Sequence, residues 1–284
     1  MNQIRPRWDE IEKEITGIRP REEWDDAWTD AARQWLTQIK DSTKEVEYNI
    51  SETQNFLLLC SSDKHFRDLL LRFLERALIQ ISSMLEGIAT DEGFGKHVVI
   101  IFYSQNTYNC YLSDCFPDSD INVVDKGMYI NQGYGHFVYP MQNLSFLEPG
   151  IVYDMSHMLI SHLPLPLWLV EGIADNIVND ITKFASINID DDFIERHENF
   201  WRQEGLQGFW SGEYFYLPGL FNSNCHELAQ FFVREMSKNW SSFKAFVLDS
   251  DYKNCGQVAL INNFGISLGE MATNLLGDGN WEPG

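Results

Sequence analysis

The chain has 284 residues, enough for one large or two small domains with a sizeable core. Its 42 acidic residues outnumber 21 basic ones, and the formal charge of −21 argues against nucleic acid and anionic membrane as partners, because like charges repel. No apolar run reaches the roughly 18 residues of a membrane span, the charged start lacks the apolar stretch of a secretory signal, and the odd set Cys60, Cys110, Cys115, Cys225 and Cys255 has no C-x-x-C pair, so free thiols in a cytoplasmic location are expected.

Residues 1 to about 40 read as amphipathic helix, with Trp24, Trp28, Ala31, Trp35 and Ile39 on one face at three- and four-residue steps. Glu45–Ser51 and Asn55–Ser61 read as two strands around a polar turn. Lys64–Ile88 carries strong helical periodicity and ends in the glycine-containing loop Gly87–Gly95. His97–Tyr103 is β-branched and almost continuously apolar, as a buried strand should be. Ser104 is placed to cap a short helix through Leu112. Met128–Ile130 and His136–Tyr139 read as further strands around a glycine-rich turn.

From Leu147 onward the pattern becomes helical. Helices are expected at Pro149–Leu163, Leu167–Phe184, Asp190–Gln203 and Asn222–Lys238, with shorter ones at Ser241–Leu248, Gly256–Asn263 and Ser267–Leu275. Pro164 and Pro166 separate the first two. A mixed front half followed by a helical back half is an α+β pattern. The division expected is an N-terminal helical extension over 1–43 and one main domain over 44–284.

The stretch richest in chemistry is Tyr153-Asp154-Met155-Ser156-His157, followed by Leu165-Pro166-Leu167-Trp168 and Glu171-Gly172-Ile173-Ala174-Asp175. The zinc pattern H-E-x-x-H sets two histidines on one helix face with a glutamate between them as general base. Here Tyr153 holds the first ligand slot, Asp154 the base slot and His157 the second ligand slot, and Trp168-x-x-Glu171-Gly172 sets a carboxylate where a third ligand follows. In His226-Glu227-Leu228-Ala229-Gln230, the last residue replaces the second His; Gln is a poor zinc ligand, so this near-match reads as chance. Asp190-Asp191-Asp192 lacks the Gly and Glu spacing of a calcium loop and reads as an acidic helix start. No phosphate-binding glycine loop, dinucleotide fingerprint or serine nucleophile elbow is present.

These residues, with the element order around them, resemble the gluzincin branch of zinc metallopeptidases, and more closely its small peptidase MA-like families. The resemblance covers roughly residues 45–276. It includes the Phe231-Phe232-Val233-Arg234 helix and the Ala259–Glu270 segment. It implies a gluzincin-like α+β fold in which His157 is the second metal ligand, Glu171 the third, Tyr153 stands for the first, and Asp154 stands for the base. Tyr214, Tyr216 and His226 are the implied candidates for oxyanion donors.

The substitutions weaken that chemistry. A phenol titrates near 10 and must ionise to bind zinc well. Shortening Glu to Asp draws the base back by one methylene, and a misplacement of about 1 Å costs about a hundredfold in rate. Asp154, His157 and Glu171 are an alternative O,N,O donor set that consumes the base as a ligand. His162 lies about 140° around the helix from His157 and should point elsewhere. The metal-free reading makes His157 and Glu171 a buried hydrogen-bonded pair joined by Tyr153.

The expectation is therefore a degenerate metallopeptidase-like protein without proteolytic activity and with no cofactor. It would keep its cleft as a peptide- or protein-binding surface, with an edge strand available for strand addition. The alternatives are a metal-dependent hydrolase with a nonstandard ligand set, zinc included, and an acidic protein that meets a basic partner.

Overall fold

The computed structural model describes residues 6–91, 93–117, 127–184 and 187–284. Residues 1–5 of the expected N-terminal helix and Glu92 of the expected loop lie outside them. The chain is α+β and forms two compact units: Met1–Gln80 with Asp91–Met155, and Ile81–Thr90 with Ser156–Gly284.

The first unit carries helices α1 (Trp8–Ile18) and α2 (Trp24–Ser42), strands β1 (Asn49–Glu52) and β2 (Phe56–Cys60), most of α3 (Lys64–Met84), β3 (His97–Phe102), α4 (Gln105–Cys115), β4 (Met128–Ile130), β5 (His136–Pro140), and the start of α5 (Leu144–Ile160). The expected N-terminal helical region forms two helices, parted where Arg19 and Pro20 turn extended, because a proline disfavours helix in the residue before it. The strands form one sheet in the order β1-β2-β3-β5-β4. β2, β3 and β5 run parallel in its centre, while β1 and β4 are antiparallel edges. All five residues of β2 and of β5 are buried, as expected of central parallel strands covered on both faces.

Period-2 alternation decides which side chains share a face. Leu57, Leu59, Val98, Ile100, Phe102 and Val138 pack with Ala32, Trp35, Leu36 and Ile39 of α2, Trp8 of α1, and Tyr108, Tyr111 and Leu112 of α4. The N-terminal helices are thus part of this core. α3 is tied to the sheet differently. Glu75 accepts from the backbone and side chain of Asn55 at 2.8 and 2.7 Å, and Arg67 donates to Ser51 at 3.2 Å. Ser104 caps α4 as expected, accepting from the Thr107 amide. Buried His136 is fully engaged: Nδ1 donates to the Tyr134 carbonyl and Nε2 accepts from Tyr111, both at 2.7 Å.

Helix α5 begins at Leu144, five residues before the predicted start, and passes through Pro149. Proline reads as a helix start in sequence. Here it is the sixth residue of the helix, past the free amides of the first turn, so it removes the one ladder bond that would reach the Ser145 carbonyl.

The second unit is helical. It holds the ends of α3 and α5, then α6 (Leu167–Thr182), α7 (Asp191–Glu204), the short α8 (Gln207–Trp210), α9 (Leu220–Ser237), α10 (Trp240–Asp249), α11 (Gln257–Phe264) and α12 (Leu268–Leu276). Asp190 caps α7 by accepting from the Phe193 amide, and Ser267 with Glu270 makes a capping box on α12. The core is aromatic: Trp168, fully buried, stacks at 30° on Phe246, and its ring meets Trp210 edge-on at 5.7 Å. Its indole donates to the Cys255 carbonyl at 3.0 Å.

Candidate functional site

Three helix segments of the second unit bring the site together: the end of α5 with His157, the first turns of α6 with Glu171 and Asp175, and α9 with His226 and Glu227. Glu171 and Asp175 are four residues apart, so α6 presents both carboxylates on one face. That face meets α9 at very short range. A Cβ at Gly172 would lie 2.5 Å from the Ala229 carbonyl oxygen, so the glycine of the Glu-Gly-x-Ala-Asp element is what allows the crossing. Polar bridges lock it: Asn176 donates to the Gln230 carbonyl at 2.9 Å, and the Gln230 amide donates to the Asp175 carbonyl at 3.3 Å. Gln230, read from sequence as a failed ligand, is a buried strut between α6 and α9.

The carboxylate of Glu171 is buried between two imidazoles. His157 Nε2 lies 3.6 Å from its Oε2, and His226 Nδ1 lies 3.9 Å from the same oxygen. The expected His157–Glu171 pair is in contact, but at a separation longer than a hydrogen bond. His226 Nδ1 hydrogen-bonds to Asp175 Oδ2 at 2.8 Å, and its ring meets Phe215 at 5.4 Å. Burial raises the Asp175 carboxyl above its ordinary value, with the His226 hydrogen bond opposing and the nearby Glu171 charge reinforcing.

The other predicted residues are placed as follows. In the first unit, Tyr139 donates a hydrogen bond to Asp154 Oδ2, which engages the base position. Burial is the main cause holding the Tyr139 phenol well above its ordinary value, and the Asp154 charge adds to it. Tyr153, in the first ligand slot, is half-buried. Tyr214 donates to the Glu204 carbonyl at 3.3 Å and stacks on Trp201, while Tyr216 stands 81% exposed. His162 points away to Thr90 Oγ1, at 3.3 Å. Of the three oxyanion candidates, the structure brings His226 to the carboxylates.

Sequence reasoning missed a second polar chain, which starts at the neighbour of His226 on α9. Glu227 Oε2 accepts from Arg196 at 2.7 Å and from His197 Nε2 at 3.0 Å. His197 is fully buried, and its Nδ1 accepts from the Trp201 indole at 3.1 Å. That acceptance fixes the tautomer, so Nε2 carries the proton. Burial is the main cause holding His197 below its ordinary value, and the hydrogen bond from His197 is the main cause lowering Glu227. The signal available in sequence was the adjacency of His226 and Glu227, which places them on neighbouring flanks of one helix.

The donor set departs from the zinc site that the resemblance implies: the position one turn before His157 offers a phenol, and the second imidazole comes from α9, with His226 Nδ1 on Asp175. Among the described residues, no group of three or more His, Cys, Asp or Glu is arranged to hold a metal ion. No helix among them is long and apolar enough to cross a membrane. No model of a known protein family matches the chain, and no curated protein matches it.

Proposed function

We propose that the chain is a degenerate relative of gluzincin zinc peptidases, without peptide hydrolysis, that uses the former catalytic cleft to bind a peptide or protein. The observation that carries this reading is the origin of the second imidazole. It comes from α9 and is tied to Asp175, while the slot one turn before His157 on α5 is Tyr153. A tetrahedral zinc needs donors aimed at one point from about 2 Å. His157 and Glu171 supply two of the family's three, and Tyr153 would have to ionise to supply the third. The Tyr139 hydrogen bond to Asp154 supports the same conclusion, since it directs the shortened base to a phenol. Within the first unit, β1 and β4 are the sheet's edges among the described residues, and strand addition by an extended peptide would use such an edge.

A second reading, a hydrolase with a nonstandard ligand set, draws on the two imidazoles lying 3.6 and 3.9 Å from one Glu171 oxygen. Ligands around a tetrahedral zinc stand roughly 3.4 Å apart. One experiment separates the readings. Protein purified without chelator or affinity metal is analysed for bound elements and assayed on a quenched-fluorescence peptide library, beside His157→Ala and Glu171→Ala. The expected result is no stoichiometric metal and no cleavage above that of the variants. About one metal per chain, lost in both variants together with cleavage, would overturn the proposal.

A further inference from the structure

Beside the acid–imidazole cluster, α6, α7 and α9 and the segment before α7 enclose a cleft of about 360 Å³. Val178, Ile187 and Phe193 give it apolar lining. Its polar lining is Asp175, Glu227 and Arg196, with Asn188, His226 and Gln230. The two carboxylates are engaged on one oxygen each. Asp175 spends Oδ2 on His226, and Glu227 spends Oε2 on both His197 and Arg196. Among the described residues, Asp175 Oδ1 and Glu227 Oε1 accept no hydrogen bond.

The balance of charge around the cleft is negative. Glu171 adds a third carboxylate that acts on Asp175. Against the three stand the Arg196 guanidinium and the imidazoles, of which His197 uses Nδ1 to accept from Trp201 and is held below its ordinary value by burial. A carboxylate taken partly out of water without full compensation is costly, and a cation brought to it offsets that cost. An anion would face two carboxylates and find the guanidinium already tied to Glu227 at 2.7 Å and to Asn224 at 2.8 Å. A neutral apolar ligand would leave the two carboxylate oxygens without water or partner.

We infer that this cleft is a subsite for a basic side chain, with its ammonium at Asp175 and Glu227 and its methylenes along Val178, Ile187 and Phe193. The inference rests on the peptide-binding reading only for the chain to which that side chain belongs; the cleft and its charges stand without it. It selects a lysine-bearing segment over acidic or purely apolar ones. The sign of the selection agrees with the formal charge of −21.

The test uses the full chain and calorimetric titration with Nα-acetyl-lysine methylamide, its uncharged near-isostere Nα-acetyl-norleucine methylamide, and a nonapeptide with one central lysine. The lysine derivative should bind saturably, at least about tenfold more tightly than the norleucine compound. Asp175→Asn and Glu227→Gln should each weaken it severalfold. Ile187→Trp, which fills the cleft and leaves every charge in place, should remove saturable binding. The wild-type comparison of the two small ligands needs no variant to fold. Equal binding of lysine and norleucine derivatives, or lysine binding indifferent to Ile187→Trp, would overturn the subsite. Subsite binding with no gain from the nonapeptide would uphold the subsite and overturn the peptide-binding reading alone.

Discussion

Glu227 takes two donors on one oxygen, and one of them, His197, is fully buried. The direction of both shifts fixes how the protein responds to acid. His197 is held below its ordinary value of 6.5, so the folded chain refuses a proton that the unfolded chain accepts. Stability should fall as the pH drops below 6.5 toward the lower folded value. Glu227 is lowered from 4.5, so its contribution is present above 4.5 and is lost as the pH falls through the lower folded value. Both act in the same sense. Thermal stability of the wild type should therefore fall as the pH drops below 6.5, and His197→Gln, which keeps a donor near Glu227, should show a shallower slope there. An equal slope in both proteins would show that His197 is not a source of the acid response. Trp168, fully buried and hydrogen-bonded to the Cys255 carbonyl, anchors the helical core. Its replacement by Ala should cost about 3–5 kcal/mol in denaturant unfolding.

Helix α6 lies against α9 because residue 172 has no side chain. Gly172→Ala would gain about 1 kcal/mol of helix propensity. It would also drive a Cβ to 2.5 Å from the Ala229 carbonyl oxygen, and overpacking of this kind costs about 1–3 kcal/mol. A net loss of stability is expected in denaturant titration; a gain would mean that α6 and α9 separate freely. Much at this scale was legible in the sequence. Periodicity located α3, α6 and α9 within a few residues, because amphipathic helices write their buried face at fixed spacing. β3 was legible from its β-branched run. The start of α5 was not, because Pro149 carries the same signal at a helix start as inside its first turns. The meeting of His226 with Asp175, 51 residues apart, was not legible as a contact, since it exists only where α6 crosses α9. Nor was the Arg196–Glu227–His197–Trp201 chain, which needs α7 placed beside α9.

At the scale of the molecule, 42 carboxylates repel one another with only 21 basic side chains to balance them. Among the described residues, Arg7–Glu10, Arg19–Glu23, Arg33–Asp30, Lys64–Asp68 and Lys238–Glu235 are exposed pairs three or four residues apart in sequence, so they contribute little. Salt should then stabilise. Raising sodium chloride from about 20 mM to about 300 mM shortens the screening length severalfold and weakens the net repulsion more than it weakens the few pairs. Scanning calorimetry should show a higher unfolding temperature at high salt; a lower one would mean that specific ion pairs outweigh the net charge. The same screening should weaken binding of a lysine-bearing ligand.

The indole of Trp201 lies buried, with its N–H pointed at the Nδ1 of His197. A neutral imidazole in that position leaves the excited indole bright, while a protonated one drains it by electron transfer. Trp201 is thus an intrinsic optical probe seated on one of the residues whose proton enters the acid response. Emission lost on acidification in advance of unfolding, and retained in His197→Gln, would report the arrival of that single proton without any label.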